Sequence, residues 1–425
     1  MEVAPGRRPL RVALTVHGAP LASMGGVGLY VESLARALVE AGHAVAVIAP
    51  EPGPLPPGVE GFCPPRRAGG GLHQTWSDPL RQGALRAFFR RWRPDLLHVH
   101  HTDGLGFDPL RVAAELGLRR VITLHDYALP CARGQLLDAD LKPCAGPSPA
   151  ACARCLAPRL RAPPLAPPFA SRLPAPLRAW GMRGLAAHAE VDARDEALLA
   201  ERGALLAQSL DGATLLSPSV HLGRRVEALG LGAPRPCPLP LLGPVRPRPA
   251  IRPAGPIRLV FVGSLHPAKG VDLLADAVAA LPPGQATLDL IGPDCGVEGQ
   301  PDWSARLRRR LAGCAALRWR GALSPAAVRE ALGDHDALAL PSRWAENSPL
   351  VVREATAAGL HTLLSVDGGG VELDPEATIV RNGDAADLAD GLRRLMGVAL
   401  QPRSPRAWTT PQHHAEWLVD AVYRR

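Results

Sequence analysis

With 425 residues, 47% apolar and 21% charged, the chain is long enough for two or three domains and apolar enough to bury a core, which excludes a disordered protein. No apolar run approaches the roughly 18 residues that span a bilayer. The stretch after Arg7 and Arg8, Leu10 to Val16, is too short for a signal-peptide core and has no cleavage site, so a cytosolic protein is expected. The net charge of +8 would suit phosphate-bearing ligands or an anionic membrane face, and by itself selects neither. Lys142 and Lys269 are the only lysines in an arginine-rich chain, which draws attention to Lys269.

The first fifty residues read as a strand at 10–16, a loop ending Gly25-Gly26-Val27-Gly28, a helix from Leu29 to about Ala41, and a strand at 44–50. That is a βαβ unit and calls for a parallel sheet. Buried strands follow at 95–101 and 120–125, each ending in histidine. The stretch 157–180 is basic and proline-rich. With Arg172, Arg178, Trp180 and Arg183 as anchors it could touch a membrane surface peripherally; an exposed connection is the plainer alternative.

The pattern then restarts. Strands at 257–263, 286–292, 337–342 and 362–366 alternate with helices at 271–281 and 348–359, after a Pro/Gly-rich linker at 243–256. The fold class expected is α/β, with two doubly wound, Rossmann-like domains facing across a cleft. The boundaries are 1–245, with a cysteine-rich insertion at about 127–160, and 257–400. A C-terminal helix at 401–425 packs back on the first domain. Ligands in such sheets bind beyond the carboxyl ends of the strands.

In the segment 341–359, Ser348 is a good N-cap, Pro349 a good first helical residue and Gly359 a good stop. The first turn of that helix offers unpaired N–H groups and a positive dipole end, an anion site at a sheet's carboxyl edge. Glu346 and Glu354 flank it, which suits a ligand with hydroxyls on both sides of its phosphates, such as a nucleotide sugar. By themselves they could equally be a loop carboxylate and a solvated helix residue.

These residues resemble the E-x(7)-E motif of the retaining glycosyltransferases of family 4, which have the two-domain GT-B fold. FVGSLHPAKGVDLLADAVAAL (261–281) resembles that family's strand, phosphate loop and helix. The GGVG opening, TLHDY (123–127) and ATLLSPSVHLGRRVEALG (213–230) are also similar to it. The resemblance implies a hexosyltransferase using a nucleotide-sugar donor, UDP- or GDP-linked, and a sugar-bearing acceptor, in cell-envelope polysaccharide or glycoconjugate synthesis. It implies that Lys269 neutralises the donor diphosphate without a divalent metal, that Glu354 binds ribose, and that Glu346 binds the hydroxyls of the transferred sugar. The phosphates would be held around Ser264, Asn347, Ser348, Pro349, Leu350 and Val351, with N–H groups from all of the last four except Pro349. Gly26 and Gly28 would let the N-terminal loop approach the donor, and His125 would contact the donor sugar. One departure stands out: Ser264 occupies a position where many members carry a phosphate-binding arginine, for which Arg343 is a candidate substitute.

His98, His100 and His101 look metal-like, but His98 and His100 share one strand face while His101 points away, so they read as strand-end residues. Cys131, Cys144, Cys152 and Cys155, spaced C-x(12)-C-x(7)-C-x(2)-C, could hold a structural zinc, be four reduced thiols, or include a redox pair at Cys152 and Cys155. Three rivals can be weighed. A dinucleotide fingerprint at Gly26-Val27-Gly28 fails because its third glycine would fall at Val31. A nonenzymatic nucleic-acid-binding protein built on the cysteines lacks a basic stripe interleaved with aromatics, so no nucleic-acid partner is expected. A sugar-nucleotide epimerase would use the same nucleotide cradle and no acceptor.

Overall fold

The computed structural model describes residues 8–18, 25–67, 72–160, 193–251, 254–297, 300–401 and 403–425. The proline-rich segment with Arg172, Arg178, Trp180 and Arg183 lies outside the described residues. The chain forms two compact units: Met1–Ala139 with Cys144–Leu242 and Thr409–Arg425, and Asp140–Pro143 with Gly243–Trp408.

The first unit runs β1 (Arg11–Thr15), α1 (Gly26–Glu40), β2 (Ala44–Ile48), β3 (Val59–Phe62), α2 (Pro79–Trp92), β4 (Leu96–Val99), α3 (Asp108–Glu115), β5 (Arg119–Thr123), α4 (Pro149–Leu160), α5 (Ala193–Leu210), β6 (Thr214–Ser217), α6 (Val220–Ala228) and β7 (Arg235–Pro236). All described pairings are parallel, in the order β3-β2-β1-β4-β5-β6-β7. β1, β2 and β4 are short apolar runs buried along nearly their whole length, as a sheet covered on both faces requires.

The second unit runs β8 (Ile257–Val262), α7 (Val271–Ala279), β9 (Ala286–Ile291), α8 (Trp303–Arg310), β10 (Leu317–Gly321), α9 (Pro325–Leu332), β11 (Ala337–Leu340), α10 (Leu350–Ala357), β12 (His361–Ser365), α11 (Gly370–Leu373), β13 (Thr378–Val380) and α12 (Ala385–Ala399). Its sheet is also parallel, in the order β10-β9-β8-β11-β12-β13. Leu259, Val260, Phe261, Leu288, Leu290, Leu338 and Leu363 form one core with Leu274 and Leu392 from the covering helices. A last helix, α13 (Pro411–Leu418), packs against α1 and so belongs to the first unit.

In each unit the first strand lies between the second and fourth of its series, so the strand order reverses at β1/β4 and at β8/β11. Crevices form at such reversals because the connections leave to opposite faces of the sheet.

Two local expectations are corrected. The first helix begins at Gly26, not Leu29, because Gly25 adopts an extended capping conformation and the chain turns helical at once. The segment after 243 is irregular as its composition dictates, yet it is no slack linker. Arg246 pairs with Glu330 and Asp334, and Arg248 donates to the Ala399 carbonyl and pairs with the buried Asp336.

Candidate active site

At the β8/β11 reversal a short helical turn, Pro267–Lys269, leaves β8 and ends at Gly270. Gly270 has φ +69°, and a Cβ there would lie 1.9 Å from the Pro341 carbonyl oxygen. Only glycine lets the loop after β8 press so closely on the end of β11. That contact brings Lys269 to Glu346, with Nζ 2.5 Å from Oε1. The same oxygen accepts from the Ser342 hydroxyl at 2.7 Å and from Trp344 Nε1 at 3.0 Å. The Lys269 ammonium also sits 5.0 Å from the centre of the Trp344 ring. Three donors converge on one carboxylate oxygen and leave Oε2 as the remaining acceptor. Gly368, at φ +144°, backs the same residue: a Cβ there would meet the Glu346 carbonyl oxygen at 2.7 Å.

Arg343, the candidate substitute for the arginine missing at Ser264, is engaged within the second unit. Its guanidinium grips Asp272 with two bonds, 2.6 and 2.8 Å, and its backbone N–H donates to the Ala268 carbonyl. It braces the Lys269 turn. Ser264 lies just beyond β8, in the loop that leads to the Lys269 turn.

α10 begins one residue later than its sequence suggests, with Pro349 at the cap position and no side-chain cap. Ser348 is unavailable as a cap because its hydroxyl accepts from the buried Arg353 at 2.8 Å. The N–H groups of Leu350 and Val351 lie in the first turn, where a helix supplies no acceptor of its own. Asn347 is buried beside them. Glu354 follows on α10, 9% exposed, with Oε1 3.5 Å from Arg329 Nη1 on α9. Burial raises its carboxyl to about 7, against the pull of Arg329.

At the β1/β4 reversal of the first unit the residues are histidines. His98 is fully buried, its Nδ1 2.6 Å from the Tyr423 hydroxyl and its Nε2 2.8 Å from the Thr123 hydroxyl. His100 Nδ1 lies 3.2 Å from His125 Nε2, and His101 Nε2 lies 3.0 Å from Asp126. Tyr30 bonds His414 of α13 at 2.7 Å. Burial pushes His98, His100 and His125 well below the usual histidine value, and the neighbouring imidazoles add to this. His125 is therefore a neutral imidazole at pH 7. Gly26 and Gly28 are not in a loop: they fall in the first turn of α1, Gly26 exposed and Gly28 buried.

Residues 24–144 match the family model described as Glycosyltransferase Family 4, and residues 256–397 match Glycosyl transferases group 1. The chain is a glycosyltransferase carrying a family 4 domain and a group 1 domain. The structure of this glycosyltransferase is similar to that of sucrose-phosphate synthase from Thermosynechococcus elongatus, at 18% identity and a TM-score of 0.62, covering 97% of this chain and 95% of that one. It is also similar to WaaG, a glycosyltransferase involved in lipopolysaccharide biosynthesis, at 14% identity and a TM-score of 0.56, covering 95% and 93%. A third likeness is to Anabaena HepE in complex with UDP and glucose, at 16% identity and a TM-score of 0.54, covering 96% and 95%. At these identities the likenesses establish the GT-B fold. No curated protein sequence matches the chain.

Within this glycosyltransferase the second unit brings Lys269 and Glu346 into direct contact and sets both at the sheet reversal. His125, Gly26 and Gly28 belong to the first unit. Ser342, Trp344 and Arg329 went unremarked in the sequence. The indole and hydroxyl that orient Glu346 lie within four residues of it, so a carboxylate flanked by donors was the available signal. The cysteines share one neighbourhood: Cys131 and Cys144 act on Cys152, and burial raises the Cys152 and Cys155 thiols. Arg202 of α5 holds their loop through the carbonyls of Ala128, Leu129 and Pro130. Among the described residues no group of three or more His, Cys, Asp or Glu side chains is placed to hold a metal ion. A zinc at these cysteines rests on their spacing alone. No helix among the described residues is long and apolar enough to cross a membrane.

Proposed function

We propose that this glycosyltransferase moves a sugar, with retention of anomeric configuration and without a divalent metal, from a nucleoside diphosphate sugar to a sugar-bearing acceptor. The observation that carries the reading is the Lys269–Glu346 pair at the sheet reversal, with the first turn of α10 and Glu354 beside it. The bond between the anomeric carbon and the diphosphate oxygen breaks while a bond to the acceptor oxygen forms on the same face. The acceptor's proton passes to the leaving diphosphate. Lys269 and the N–H groups of Leu350 and Val351 offset the charge that grows on that diphosphate. The Lys269 ammonium has three donors, so contact with Glu346 leaves it able to reach a phosphate. Glu346 Oε2 accepts a hydroxyl of the transferred sugar, and Glu354 accepts the ribose hydroxyls. His125, neutral, donates to or accepts from a sugar hydroxyl. A UDP-sugar is the favoured donor, since HepE, which shares the fold, is described with UDP and glucose.

The test is the anomeric configuration of the product. Supplied with an α-linked UDP-sugar and an oligosaccharide acceptor, the enzyme should give an α-linked product by proton NMR. A β-linked product would overturn the retaining mechanism, and an epimerised donor with no transfer would overturn the reaction itself.

A further inference from the structure

Glu354 is the least comfortable acid of the donor site. It is buried on α10, and the charged group acting on it among the described residues is Arg329 of α9. The other charges on the elements around it are engaged elsewhere. Glu330 and Asp334 pair with Arg246, and Asp336 pairs with Arg258 and Arg248. Asp374 pairs with Arg403, while Arg353 turns to Ser348 and lies over Trp408. Arg329 is itself confined. The backbone at Gly243 passes so close that a Cβ there would lie 3.0 Å from Nη2 and 3.1 Å from Cζ and Nε. Its Nε is buried with no hydrogen-bond partner among the described residues. The guanidinium is thus wedged between the Gly243 backbone and the Glu354 carboxylate.

We propose that Arg329 is a positioning residue for the donor: it holds the Glu354 carboxylate in place, so that it accepts both hydroxyls of a ribose and the site selects ribonucleotides over deoxyribonucleotides. This rests on the donor reading above. A carboxylate presents two acceptor oxygens, whereas its acid form gives up one to a proton that must find its own partner. Burial alone would keep Glu354 protonated near neutrality, and Arg329 opposes that. The preference for ribose therefore grows as pH rises through about 7 and levels off above it. Without Arg329 the same rise moves to higher pH.

The experiment is isothermal titration of the full-length enzyme with UDP and 2′-deoxy-UDP, and with GDP and 2′-deoxy-GDP in parallel, from pH 6 to 9. The readout is the ratio of the two dissociation constants. Titration of the diphosphate is common to both members of a pair and cancels. In the wild type the ratio should grow by several-fold to about tenfold between pH 6 and pH 8, as one titration centred near 7 requires. In Arg329→Met it should fall towards one at pH 7 and recover only in more alkaline solution. Arg329→Lys should lie between the two, and Gly243→Ala, which crowds the guanidinium, should shift the profile in the same direction as Arg329→Met. A ratio that ignores pH in the wild type, or that is unchanged in Arg329→Met, overturns the proposal while leaving the donor reading intact. Failure of the wild type to bind any of the four nucleotides overturns the donor reading and this proposal with it.

Discussion

The two units build their sheets alike and fill the same seam in opposite ways. At β1/β4 the seam holds His98, His100 and His125, which burial strips of charge and which bond to one another and to tyrosine and threonine hydroxyls. At β8/β11 it holds Lys269 against Glu346, with Glu354 and Arg329 close by. Both seams are buried, so the difference lies in compensation. In the second unit Lys269 faces Glu346 and Glu354 faces Arg329, whereas in the first the Asp126 carboxylate is taken by His101. A neutral polar seam suits hydroxyl-rich ligands, and a compensated charged one suits a diphosphate.

The comparison breaks most visibly with acid. His98, His100 and His125 are held below their unfolded value of 6.5, so the folded state binds fewer protons than the unfolded state as pH falls past 6.5. Each then costs up to about 1.4 kcal/mol of stability per pH unit. His101 works the other way: burial lowers it, but Asp126 outweighs burial and raises it. Urea unfolding followed from pH 7.5 to 5.5 should show the first unit losing several kcal/mol, and replacing His100 with Gln should flatten the slope. A first unit equally stable at both pH values would mean that its histidines titrate normally.

Glu354 has the reverse sign. Its folded value of about 7 exceeds the unfolded 4.5, so ionising it costs stability that appears as pH rises through that window. Glu354→Gln should therefore weaken UDP binding by several-fold to about tenfold at pH 8 yet stabilise the second unit by about 3 kcal/mol there, and by almost nothing at pH 4. A variant destabilised at pH 8 would make Glu354 a structural acid.

The smallest effect sharpens the charged seam. Trp344→Phe keeps a ring beneath Lys269 and removes the indole donor to Glu346, a loss on the order of 1 kcal/mol. Transfer should fall about fivefold with the melting temperature nearly unchanged. An unaltered rate would mean that Ser342 and Lys269 suffice to orient Glu346.

Most of the architecture was legible because buried parallel strands announce themselves as short apolar runs and their helices as periodic ones. Lys269, Glu346 and Glu354 stood out through motif spacing. What escaped notice depends on contacts between distant positions. Glycines at 25, 26 and 28 suggested a loop, yet an extended Gly25 lets the helix start immediately. Ser348 has the chemistry of a cap, but Arg353 claims its hydroxyl. The segment after 243 has a linker's composition and is pinned by arginine pairs that no local pattern encodes. Arg329 lies a helix and a strand away from the acid it faces, and His98 meets a tyrosine from the end of the chain.

On the proposed function, the charged seam of the second unit is the donor site. The most direct test is a thermal-shift series with UDP-, GDP-, ADP- and TDP-sugars on the wild type and on Lys269→Ala. A ligand present at about 100 times its Kd stabilises the folded state by roughly 2.7 kcal/mol. One nucleotide sugar should raise the wild-type melting temperature by several degrees and leave Lys269→Ala unmoved. An equal rise in both proteins would contradict the assignment of the diphosphate to Lys269.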